Sequence, residues 1–473
     1  MSAFNIFDTE GNRPGAAVTD FRRELRYCGV TPKSPALLHQ LMKPILCLLL
    51  ILFAWPSLLI AETTEDRPPN LILIFADDVG REVLGCYGGE SYETPNLDQL
   101  RADGMKLEHF YSSPVCHPSR VTLMSGRYPV NMGNPKWGYY PTDKASERDT
   151  LANELKRAGY ATAAAGKWHL AMFKEDLDHP QRLGFDESIF FGWHEGPRFH
   201  DPYLYKNGQR PDPETKGQYG PELYVKFLES FMERHREEPF FVYYPMALCH
   251  AVSNDLDPHP PHGPKDRYMT YAEMVADMDL RVGQVREAIE KLGLTDQTLV
   301  MFTTDNGTTP FNFTHHQGRK LFKEPVISRI SGIDLVGEKG RYTDWGMRVP
   351  ALVSWPGHIE PGSSSEALID LADLLPTFVE VAGGEAPAFT MDGKSFAPLL
   401  RGEEHESREW IYGEGRRKQG VRTRGWKLIS SGQLFNMVTD PKEKNPIFKN
   451  KDTKASAAAR LELELILSNV ARR

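Results

Sequence analysis

The sequence has few cysteines. There are five in 473 residues, namely Cys28, Cys47, Cys86, Cys116 and Cys249. They are too few and too scattered for a disulfide scaffold or for a structural zinc site. Cys86 and Cys249 could form one bridge. Two separate buried thiols are the favoured interpretation, because free cysteine packs well in protein cores.

The sequence also lacks an excess of positive charge. It contains 56 Lys and Arg against 64 Asp and Glu, which gives a formal net charge of -8. A nucleic-acid-binding protein is therefore not indicated, and an anionic ligand would have to be held by a local group of basic residues. No internal repeat is evident. The length and the 40% hydrophobic and 25% charged residues are typical of a soluble protein with one large and one small domain.

A hydrophobic run long enough for a clear membrane span is missing as well. Ile45–Ile60 is short and is broken by Pro56, so residues 42–61 are predicted to be a secretory signal peptide that is cleaved after Ala61. We interpret residues 1–41 as an N-terminal extension from a mis-assigned start. The alternative is a true N-terminus followed by an uncleaved anchor. After cleavage no stable membrane span is expected, and the protein is predicted to be secreted or periplasmic.

What the sequence does contain is a polar, reactive stretch at 112–128, centred on Cys116-His117-Pro118-Ser119-Arg120. Pro118 suits the first turn of a helix, because its missing N–H would be unpaired there in any case. Cys116 is then expected just before the helix N-terminus, where free backbone N–H groups favour an anion. Arg120 adds a positive charge about one turn further on. A buried structural cysteine is the alternative interpretation.

Polar residues also follow four apolar segments that are predicted to be buried strands. Asp77 and Asp78 follow Asn70–Ala76, Lys167 and His169 follow 161–165, His250 lies beyond 239–244, and Asp305 and Asn306 follow 298–304. Open α/β sheets bind ligands at the carboxyl ends of their strands. The residues are therefore expected to meet at one edge of a mostly parallel sheet that is flanked by helices.

The remaining segments complete the predicted architecture. Helices are expected at 149–159, 221–236, 268–292 and 366–382. From about residue 405 the pattern changes to short strands followed by a closing helix at 453–471. This change predicts a small C-terminal α+β subdomain with an antiparallel sheet.

The polar residues at the strand ends divide into two chemical sets. Asp77, Asp78, Asp305 and Asn306 offer hard oxygen ligands, which suit Ca²⁺, with Mg²⁺ as the second choice. Lys167, His169, His250 and Lys339 supply positive charge and proton transfer. Together they provide a clamp for an anion, a nucleophile and an acid for a leaving group.

Several motifs resemble those of the type I sulfatases, which belong to the alkaline phosphatase superfamily. The matching pieces are Asp77-Asp78-Val79-Gly80, Thr94-Pro95-Asn96-Leu97-Asp98, Cys116-His117-Pro118-Ser119-Arg120, Ser125-Gly126-Arg127-Tyr128-Pro129, Gly166-Lys167-Trp168-His169-Leu170, Asp305-Asn306-Gly307, Lys339 with Arg348-Val349-Pro350, and Trp426-Lys427-Leu428. They cover most of residues 66–445. In this family the cysteine is oxidised to formylglycine, whose hydrate offers one hydroxyl to attack sulfur and a second that later helps to expel sulfate.

The resemblance implies an alkaline-phosphatase-like fold, with a catalytic domain at 66–404 and a small subdomain at 405–473. It also implies roles for the residues at the strand ends. Arg120 would steady the formylglycine hydrate, and His169 would hydrogen-bond it. Lys167 and Lys339 would hold sulfate oxygens, His250 would be the acid beside the leaving oxygen, and Asp77, Asp78, Asp305, Asn306 and modified Cys116 would bind the metal. A formylglycine-generating enzyme would be a partner during maturation.

Two departures from the family pattern concern the substrate side of the site. The usual Glu-Gly-Gly after the second lysine is Asp344-Trp345-Gly346, so Trp345 is expected to change the substrate wall. The segment between Asn306 and Lys339 is long and carries His315-His316. These histidines are either specificity residues or part of a solvated loop.

The sequence therefore predicts a sulfatase that hydrolyses a sulfate monoester to an alcohol and inorganic sulfate. The predicted substrate is a sulfated carbohydrate, because loops rich in aromatic residues and histidines suit sugar rings, although a sulfated small molecule would also be accepted. One alternative is a phosphonate or phosphate-ester hydrolase of the same superfamily. The other is a non-catalytic binding protein in which Cys116 is never modified.

Overall fold

The computed structural model describes residues 67–193, 195–209, 215–251, 269–317, 320–415 and 418–470. The predicted N-terminal extension and signal peptide lie outside these residues. Within the described ranges, no helix is both long enough and apolar enough to cross a bilayer. The three cysteines in these ranges are unpaired: Cys116 and Cys249 are buried, and Cys86 is half-buried. The interpretation of Cys86 and Cys249 as two separate thiols is therefore confirmed.

The described residues form seventeen strands, which we number in chain order. They are β1 (Asn70–Ala76), β2 (Met105–Tyr111), β3 (Ala161–Gly166), β4 (Glu187–Phe191), β5 (Leu204–Lys206), β6 (Phe240–Pro245), β7 (Thr298–Thr304), β8 (Phe311–Gln317), β9 (Lys320–Pro325), β10 (Ile327–Ile330), β11 (Ile333–Val336), β12 (Ala351–Ser354), β13 (Ser363–Asp370), β14 (Ile411–Glu414), β15 (Gln419–Arg422), β16 (Trp426–Ile429) and β17 (Leu434–Asn436). Strands β8 and β9 pair as an antiparallel hairpin, and β10 pairs with β11 in the same way.

The eleven α-helices of the described residues are likewise numbered along the chain. They are α1 (Pro95–Ala102), α2 (Cys116–Ser125), α3 (Lys144–Arg148), α4 (Leu151–Arg157), α5 (His179–Arg182), α6 (Gly220–Arg234), α7 (Tyr271–Lys291), α8 (Asp344–Met347), α9 (Leu374–Val381), α10 (Ala397–Leu400) and α11 (Lys454–Val470). Short 3-10 turns occur at Arg81–Val83, Gly85–Tyr87, Pro129–Met132, Thr295–Gln297, Leu371–Asp373 and Lys449–Lys451.

A nine-stranded sheet forms the centre of the molecule, in the order β13-β2-β12-β7-β1-β6-β3-β4-β5. Strand β1 runs parallel to both of its neighbours, β6 and β7. The pairs β3–β6, β3–β4 and β13–β2 are also parallel, whereas β12 is antiparallel to β2 and β7, and β5 is antiparallel to β4. The predicted mostly parallel, alkaline-phosphatase-like sheet is therefore confirmed.

The apolar run of β1 is continuous because both faces of this strand are covered. All seven of its residues are buried. Leu71, Leu73 and Phe75 join a core on one side that includes side chains of α2, α4 and α9. Ile72 and Ile74 join a second core on the other side, with side chains of α1, α6 and α7. Alternate residues of one strand thus feed two separate cores, as the side-chain period of a strand requires.

One of the predicted helices is partly wrong. Residues 366–382 were expected to be helical, but Ser363–Asp370 is strand β13, and a helix spans only Leu374–Val381. Asp370 separates the two elements: its side chain accepts a hydrogen bond from the backbone N–H of Ala372 and caps the turn that starts there. The apolar residues of this segment would be buried in a strand as well as in a helix, so their pattern does not distinguish the two elements.

A second, antiparallel sheet of four strands, β14-β15-β16-β17, follows in the chain. Helix α11 covers one of its faces, where Leu463 packs against Val421, Leu428 and Leu434. The predicted small subdomain with an antiparallel sheet is therefore present as an element of the fold. Its proposed boundary at residue 404 remains a prediction.

Buried charges connect this second sheet to helix α8. Lys427 on β16 donates to Glu443 at 2.7 Å, and both side chains are only 2% exposed. Glu443 in turn accepts a hydrogen bond from the backbone N–H of Asp344 at 2.6 Å. Arg422 on β15 donates to the Asp344 carboxylate at 2.6 and 2.8 Å. The network fixes Asp344, the first residue of the unusual Asp344-Trp345-Gly346 segment.

We expect Lys427→Ala to destabilise the folded protein by about 3–5 kcal/mol, because it leaves the Glu443 carboxylate buried without its ionic partner. The measurement is the free energy of unfolding in urea, with Lys442→Ala as the control, because Lys442 is exposed. The control should change the free energy by less than about 0.5 kcal/mol. A similarly small effect for Lys427→Ala would show that this buried pair contributes little to the stability of the fold.

Candidate active site

Adjacent parallel strands bring the predicted acidic residues together. Asp77 and Asp78 follow β1, and Asp305 and Asn306 follow β7, whose last residue, Thr304, lies beside Ala76. The backbone N–H of Asp78 donates to Asp305 Oδ1 at 3.2 Å. Asn306 Nδ2 donates to Asp78 Oδ1 at 2.8 Å. All four residues are at most 2% exposed, so these four polar side chains are buried together at one edge of the sheet.

This cluster has the donor atoms that a hard cation requires. Asp77, Cys116 and Asp305 each offer one potential ligand atom, and these three atoms lie within 4.8 Å of one another. Asp77 Oδ1 and Asn306 Oδ1 are buried and have no hydrogen-bond partner among the described residues. Unpaired buried acceptors are costly, and a bound cation would satisfy both. The residues present therefore fit a divalent metal ion with oxygen ligands.

Cys116 reaches the cluster from the N-terminus of helix α2. The helix begins at Cys116 itself, with extended Val115 as its N-cap, one residue earlier than the sequence predicted. Two side chains of its first turns attach it to the end of β7. Ser119 Oγ donates to the Asp305 carbonyl oxygen at 2.6 Å, and Arg120 donates to Asp305 Oδ2 at 2.8 Å. The helix thus presents its free N–H groups and Cys116 to the carboxylates.

Arg120 connects helix α2 to the ends of two strands of the sheet. Its guanidinium is fully buried, with hydrogen bonds to Asp305 and to the carbonyl oxygen of Lys167 at 3.0 Å. These contacts join the ends of α2, β7 and β3. Arg120 therefore balances the charge of the carboxylates and fixes three elements of the site relative to one another.

Lys167 and His169 follow β3 on the other side of the cluster. The Lys167 ammonium group is fully buried and pairs with Asp77. His169 adopts a left-handed backbone conformation with φ of 55°. Its ring stacks on Trp193 with 4.2 Å between centroids, and neither ring nitrogen has a hydrogen-bond partner among the described residues. Both nitrogens are therefore available to groups that enter the site.

Lys339 and His250 complete the set of predicted residues. The Lys339 ammonium group pairs with Asp78, and its backbone N–H donates to the Thr308 carbonyl oxygen at 2.9 Å. His250 lies five residues after the end of β6, and its electrostatic partners include Lys167, Lys339 and Asp77. The structure thus brings together all ten residues that the sequence selected for metal binding and catalysis.

The charges in the cluster shift the titration of its members in different directions. Burial and the negative charge of Asp77 raise the pKa of Asp305 to about 7, against the opposing effect of Arg120. Burial would also raise the pKa of Asp77, but Lys167, His250 and Arg120 outweigh it and hold that pKa well below its usual range. Burial raises the pKa of the Cys116 thiol. An unmodified Cys116 is therefore a neutral thiol and a poor nucleophile.

Sequence reasoning missed several residues around the site. His117 and Trp137 surround His169, with ring centroids 5.6 and 5.4 Å away. Arg198, in the irregular segment after β4, contacts His250. His117 belongs to the motif around Cys116, but the motif does not indicate that it packs against His169, whereas Trp137 and Arg198 are single residues in loops and have no spacing pattern. Trp193 lies in the same irregular segment as Arg198, and its neighbour His194 lies outside the described residues.

In each of the two departures from the family pattern, one residue stacks on a neighbouring side chain. The Arg81 guanidinium stacks on Trp345, 4.5 Å from the ring centroid. His315 belongs to the β8–β9 hairpin and stacks on Phe322 at 4.3 Å between centroids. The side chain of His316 lies outside the described part of the structure. The choice between a specificity role and a solvated surface for these histidines stays open.

A buried cluster of oxygen ligands with basic residues beside it, at the carboxyl edge of a mostly parallel sheet, fits the class of hydrolases that act on anionic esters. Comparison with known proteins narrows this class. The family model described as "Sulfatase" matches residues 69–384, and the model "N-sulphoglucosamine sulphohydrolase, C-terminal" matches residues 338–470. The chain belongs to the sulfatase family, and it is a hydrolase of sulfate esters.

Two characterised relatives show the extent of the similarity. The chain is 35% identical to bovine (Bos taurus) arylsulfatase A over 386 residues, which is 75% of this chain and 72% of the relative. It is 32% identical to human N-acetylgalactosamine-6-sulfatase over 368 residues, which is 71% of this chain and 66% of the relative. The recognition of the type I sulfatase family from sequence motifs is thereby confirmed.

Solved structures share the fold. A structure from glycosaminoglycan metabolism by Bacteroides thetaiotaomicron aligns with a TM-score of 0.68 and 24% identity, over 86% of this chain and 100% of that chain. A protein solved in complex with its substrate, D-glucosamine-2-N,6-O-disulfate, aligns with a TM-score of 0.66 and 20% identity, over 86% of this chain and 98% of that chain. At these identities the likeness concerns the fold alone.

Proposed function

We propose that this sulfatase removes sulfate from a sulfated carbohydrate, using Cys116 after its conversion to formylglycine and a Ca²⁺ ion held by Asp77, Asp78, Asp305 and Asn306. The observation that carries the proposal is the convergence of Cys116 with unpaired, buried oxygen atoms at one edge of the sheet. In the overall reaction, water adds to R–O–SO₃⁻, the S–O bond to the alcohol breaks, and an alcohol and hydrogen sulfate are released.

The choice of Ca²⁺ follows from the donor set. The four residues supply only carboxylate and amide oxygens, without a histidine, and such ligands suit Ca²⁺ or Mg²⁺ better than zinc or copper. When bound, the ion would act as a Lewis acid toward the sulfate group. Mg²⁺ is the second choice, because it requires a stricter octahedral geometry.

The neighbouring residues would perform the remaining steps. Lys167 and Lys339, which carry their ammonium groups at the edge of the carboxylate cluster, would bind sulfate oxygens and neutralise charge that develops there. Arg120 would keep Asp305 and the start of α2 in place. His169, with both ring nitrogens available, would hydrogen-bond the hydrate, and His250 would donate a hydrogen bond to the leaving oxygen.

A carbohydrate substrate is supported by the aromatic rings around these residues. Trp193 and Trp137 flank His169. Arg81, which closely follows Asp78 in the sequence, stacks on Trp345. Aromatic faces with adjacent basic groups suit the apolar faces and anionic substituents of sulfated sugars. The name of the human N-acetylgalactosamine-6-sulfatase agrees with a substrate of this class.

Maturation completes the proposal. A formylglycine-generating enzyme would modify Cys116, and the predicted signal peptide at 42–61 would direct the chain to a secreted or periplasmic location. The catalytic part would extend over 66–404, with 405–473 as a supporting subdomain.

The test is a substrate panel with protein from a host that produces formylglycine. We expect 4-nitrophenyl sulfate to be hydrolysed with a higher kcat/KM than 4-nitrophenyl phosphate, and sulfated galactosamine and glucosamine derivatives to release inorganic sulfate. A preference for the phosphate ester would instead support the phosphonate or phosphate-ester hydrolase. Turnover of aryl sulfate without release from any sulfated sugar would contradict the carbohydrate assignment.

A further inference from the structure

Arg198 is a buried arginine without a role in the proposed reaction. Its residue is only 5% exposed. The guanidinium stacks on Phe191 and Trp193, with 5.0 and 5.3 Å to the ring centroids. One of its terminal nitrogens lies 3.1 Å from Nδ1 of His250. Because the guanidinium is enclosed by these rings, it is placed to act on His250 and is shielded from a ligand.

The contact with His250 determines which nitrogen of the imidazole carries its proton. A guanidinium has only donors, so Nδ1 must accept the hydrogen bond from Arg198. Nδ1 also lies 2.9 Å from the carbonyl oxygen of Ala251, which can only accept. The two neighbours therefore require opposite tautomers. A neutral ring that accepts from Arg198 has its proton on Nε2, whereas a neutral ring that donates to the Ala251 carbonyl has its proton on Nδ1.

We infer that Arg198 is a positioning residue that holds His250 in the Nε2–H tautomer, so that this nitrogen can donate a hydrogen bond to the leaving-group oxygen of the substrate. The inference rests on the proposed function, in which His250 lies beside that oxygen. Nε2 has no hydrogen bond to any residue in the described ranges, and it lies on the side of the ring opposite to Arg198 and Ala251. In the other tautomer Nε2 is a bare acceptor and would repel an oxygen that gains negative charge.

The surroundings of His250 favour the neutral ring that this role requires. Burial lowers the pKa of His250, and the positive charges of Lys167, Lys339 and Arg198 lower it further, against the opposing effect of Asp77. A neutral imidazole with a fixed N–H can polarise an oxygen without first acquiring a proton from solvent. The proton on Nε2 is therefore available over a wide range of pH, provided that the tautomer is fixed.

The leaving group provides a test that separates this role from a structural one. 4-Nitrophenol leaves readily without help, whereas 4-methoxyphenol needs a donor to its oxygen. For Arg198→Met, which removes all donors, we expect kcat/KM to fall about 10–10²-fold for 4-methoxyphenyl sulfate and less than about threefold for 4-nitrophenyl sulfate. Arg198→Lys, which restores a donor, should recover part of the loss. His250→Ala should show the same dependence, and adding Arg198→Met to it should change little.

Arg127→Met is the matched control. Arg127 also stacks on an aromatic ring, 4.4 Å from the Phe389 centroid, and pairs with the Asp149 carboxylate, and within the described ranges it has no hydrogen bond to a histidine. Arg127→Met should lower kcat/KM for 4-methoxyphenyl sulfate and 4-nitrophenyl sulfate by the same factor, or change neither. Equal losses on both esters for Arg198→Met would assign Arg198 a structural role, and a change in KM alone would assign it to substrate binding. Either result would overturn the inference.

A second measurement does not depend on turnover. In protein labelled with ¹⁵N-histidine, the NMR signals of His250, identified by their loss in His250→Ala, report the tautomer. We expect Nε2–H in the wild type and Nδ1–H in Arg198→Met. An unchanged tautomer would contradict the inference even if the enzyme is active. Absence of sulfatase activity in the wild type together with the expected change of tautomer would overturn the proposed function and leave the role of Arg198 in place.

Discussion

Cys116→Ala is expected to abolish hydrolysis of sulfate esters, with a fall in kcat of at least about 10⁴-fold, the loss that follows removal of a nucleophile in other hydrolases. The variant removes the only reactive atom that helix α2 directs at the carboxylate cluster. The site retains its positive charges and can still bind an anion. We therefore expect turnover to disappear while inorganic sulfate still binds to the site. The measurements are sulfate release and the binding of inorganic sulfate by calorimetry.

The state of Cys116 in the wild type determines whether this comparison is informative. Conversion of the thiol to the aldehyde lowers the mass of the peptide by roughly 18 Da. The buried thiol has a raised pKa and is neutral, so the unmodified chain should be as inactive as Cys116→Ala. The fraction of modified peptide and the specific activity should therefore rise together in preparations from different hosts.

Cys86→Ala is the matched control for this experiment. Cys86 is half-buried and forms no disulfide. It lies in the 3-10 turn Gly85–Tyr87, in the segment that follows β1. Its replacement should leave kcat unchanged. If Cys116→Ala kept more than a small fraction of wild-type activity in folded protein, Cys116 would not be the nucleophile. The interpretation as a binding protein would gain support if the wild type carried only unmodified thiol in a host that modifies other sulfatases.

The strand ends were predictable from the sequence because two simple patterns coincide there. Asn70–Ala76 is apolar throughout, which indicates a strand that is covered on both faces, and Asp77 and Asp78 follow it at once. The same pattern precedes Asp305. Parallel strands have their carboxyl ends at the same edge of the sheet, so the two acidic pairs had to lie close together even though 227 residues separate Asp78 from Asp305.

Other contacts could not be predicted, because they depend on packing between loops. Arg198 reaches His250 only because the irregular segment after β4 folds back over Trp193. No spacing rule connects an arginine to a histidine 52 positions away. The strand at Ser363–Asp370 was mistaken for part of a helix for a related reason. It pairs with β2, a distant segment, and that pairing overrides a local pattern that suits a helix equally well.

The affinity of the carboxylate cluster for a cation gives the second large expected effect. We expect Ca²⁺ to stabilise the wild type by about 2.7 kcal/mol at a concentration one hundred times its Kd. A chelator should remove this stabilisation and abolish turnover, and Ca²⁺ should restore both. Mg²⁺ at the same concentration should stabilise less. The measurement is the free energy of unfolding in urea with and without each ion, on protein in which the modified fraction of Cys116 has been determined.

Asp77→Asn identifies the site of this effect. Asp77 pairs with Lys167 through Oδ2, whereas its Oδ1 is buried and has no hydrogen-bond partner among the described residues; a carboxylate oxygen of Asp77 lies within 4.8 Å of ligand atoms of Cys116 and Asp305. The variant should lose most of the stabilisation by Ca²⁺. It should also be about 3–5 kcal/mol less stable in the absence of the ion, because the Lys167 ammonium group is left buried beside a neutral amide. The two losses can be separated, because only the first depends on the ion.

Asp373→Asn provides the control that distinguishes a ligand from a structural carboxylate. Asp373 is 3% exposed and binds the Arg408 guanidinium, with 2.9 Å from Nε to Oδ2, so its replacement also leaves a buried cation without a charged partner. The two variants should lose similar stability without Ca²⁺, but Asp373→Asn should keep the full stabilisation by the ion. If Asp77→Asn kept it as well, the ion would bind elsewhere. The ion-dependent difference between these variants therefore measures the contribution of Asp77 as a ligand, free of the cost that any buried, unpaired charge imposes.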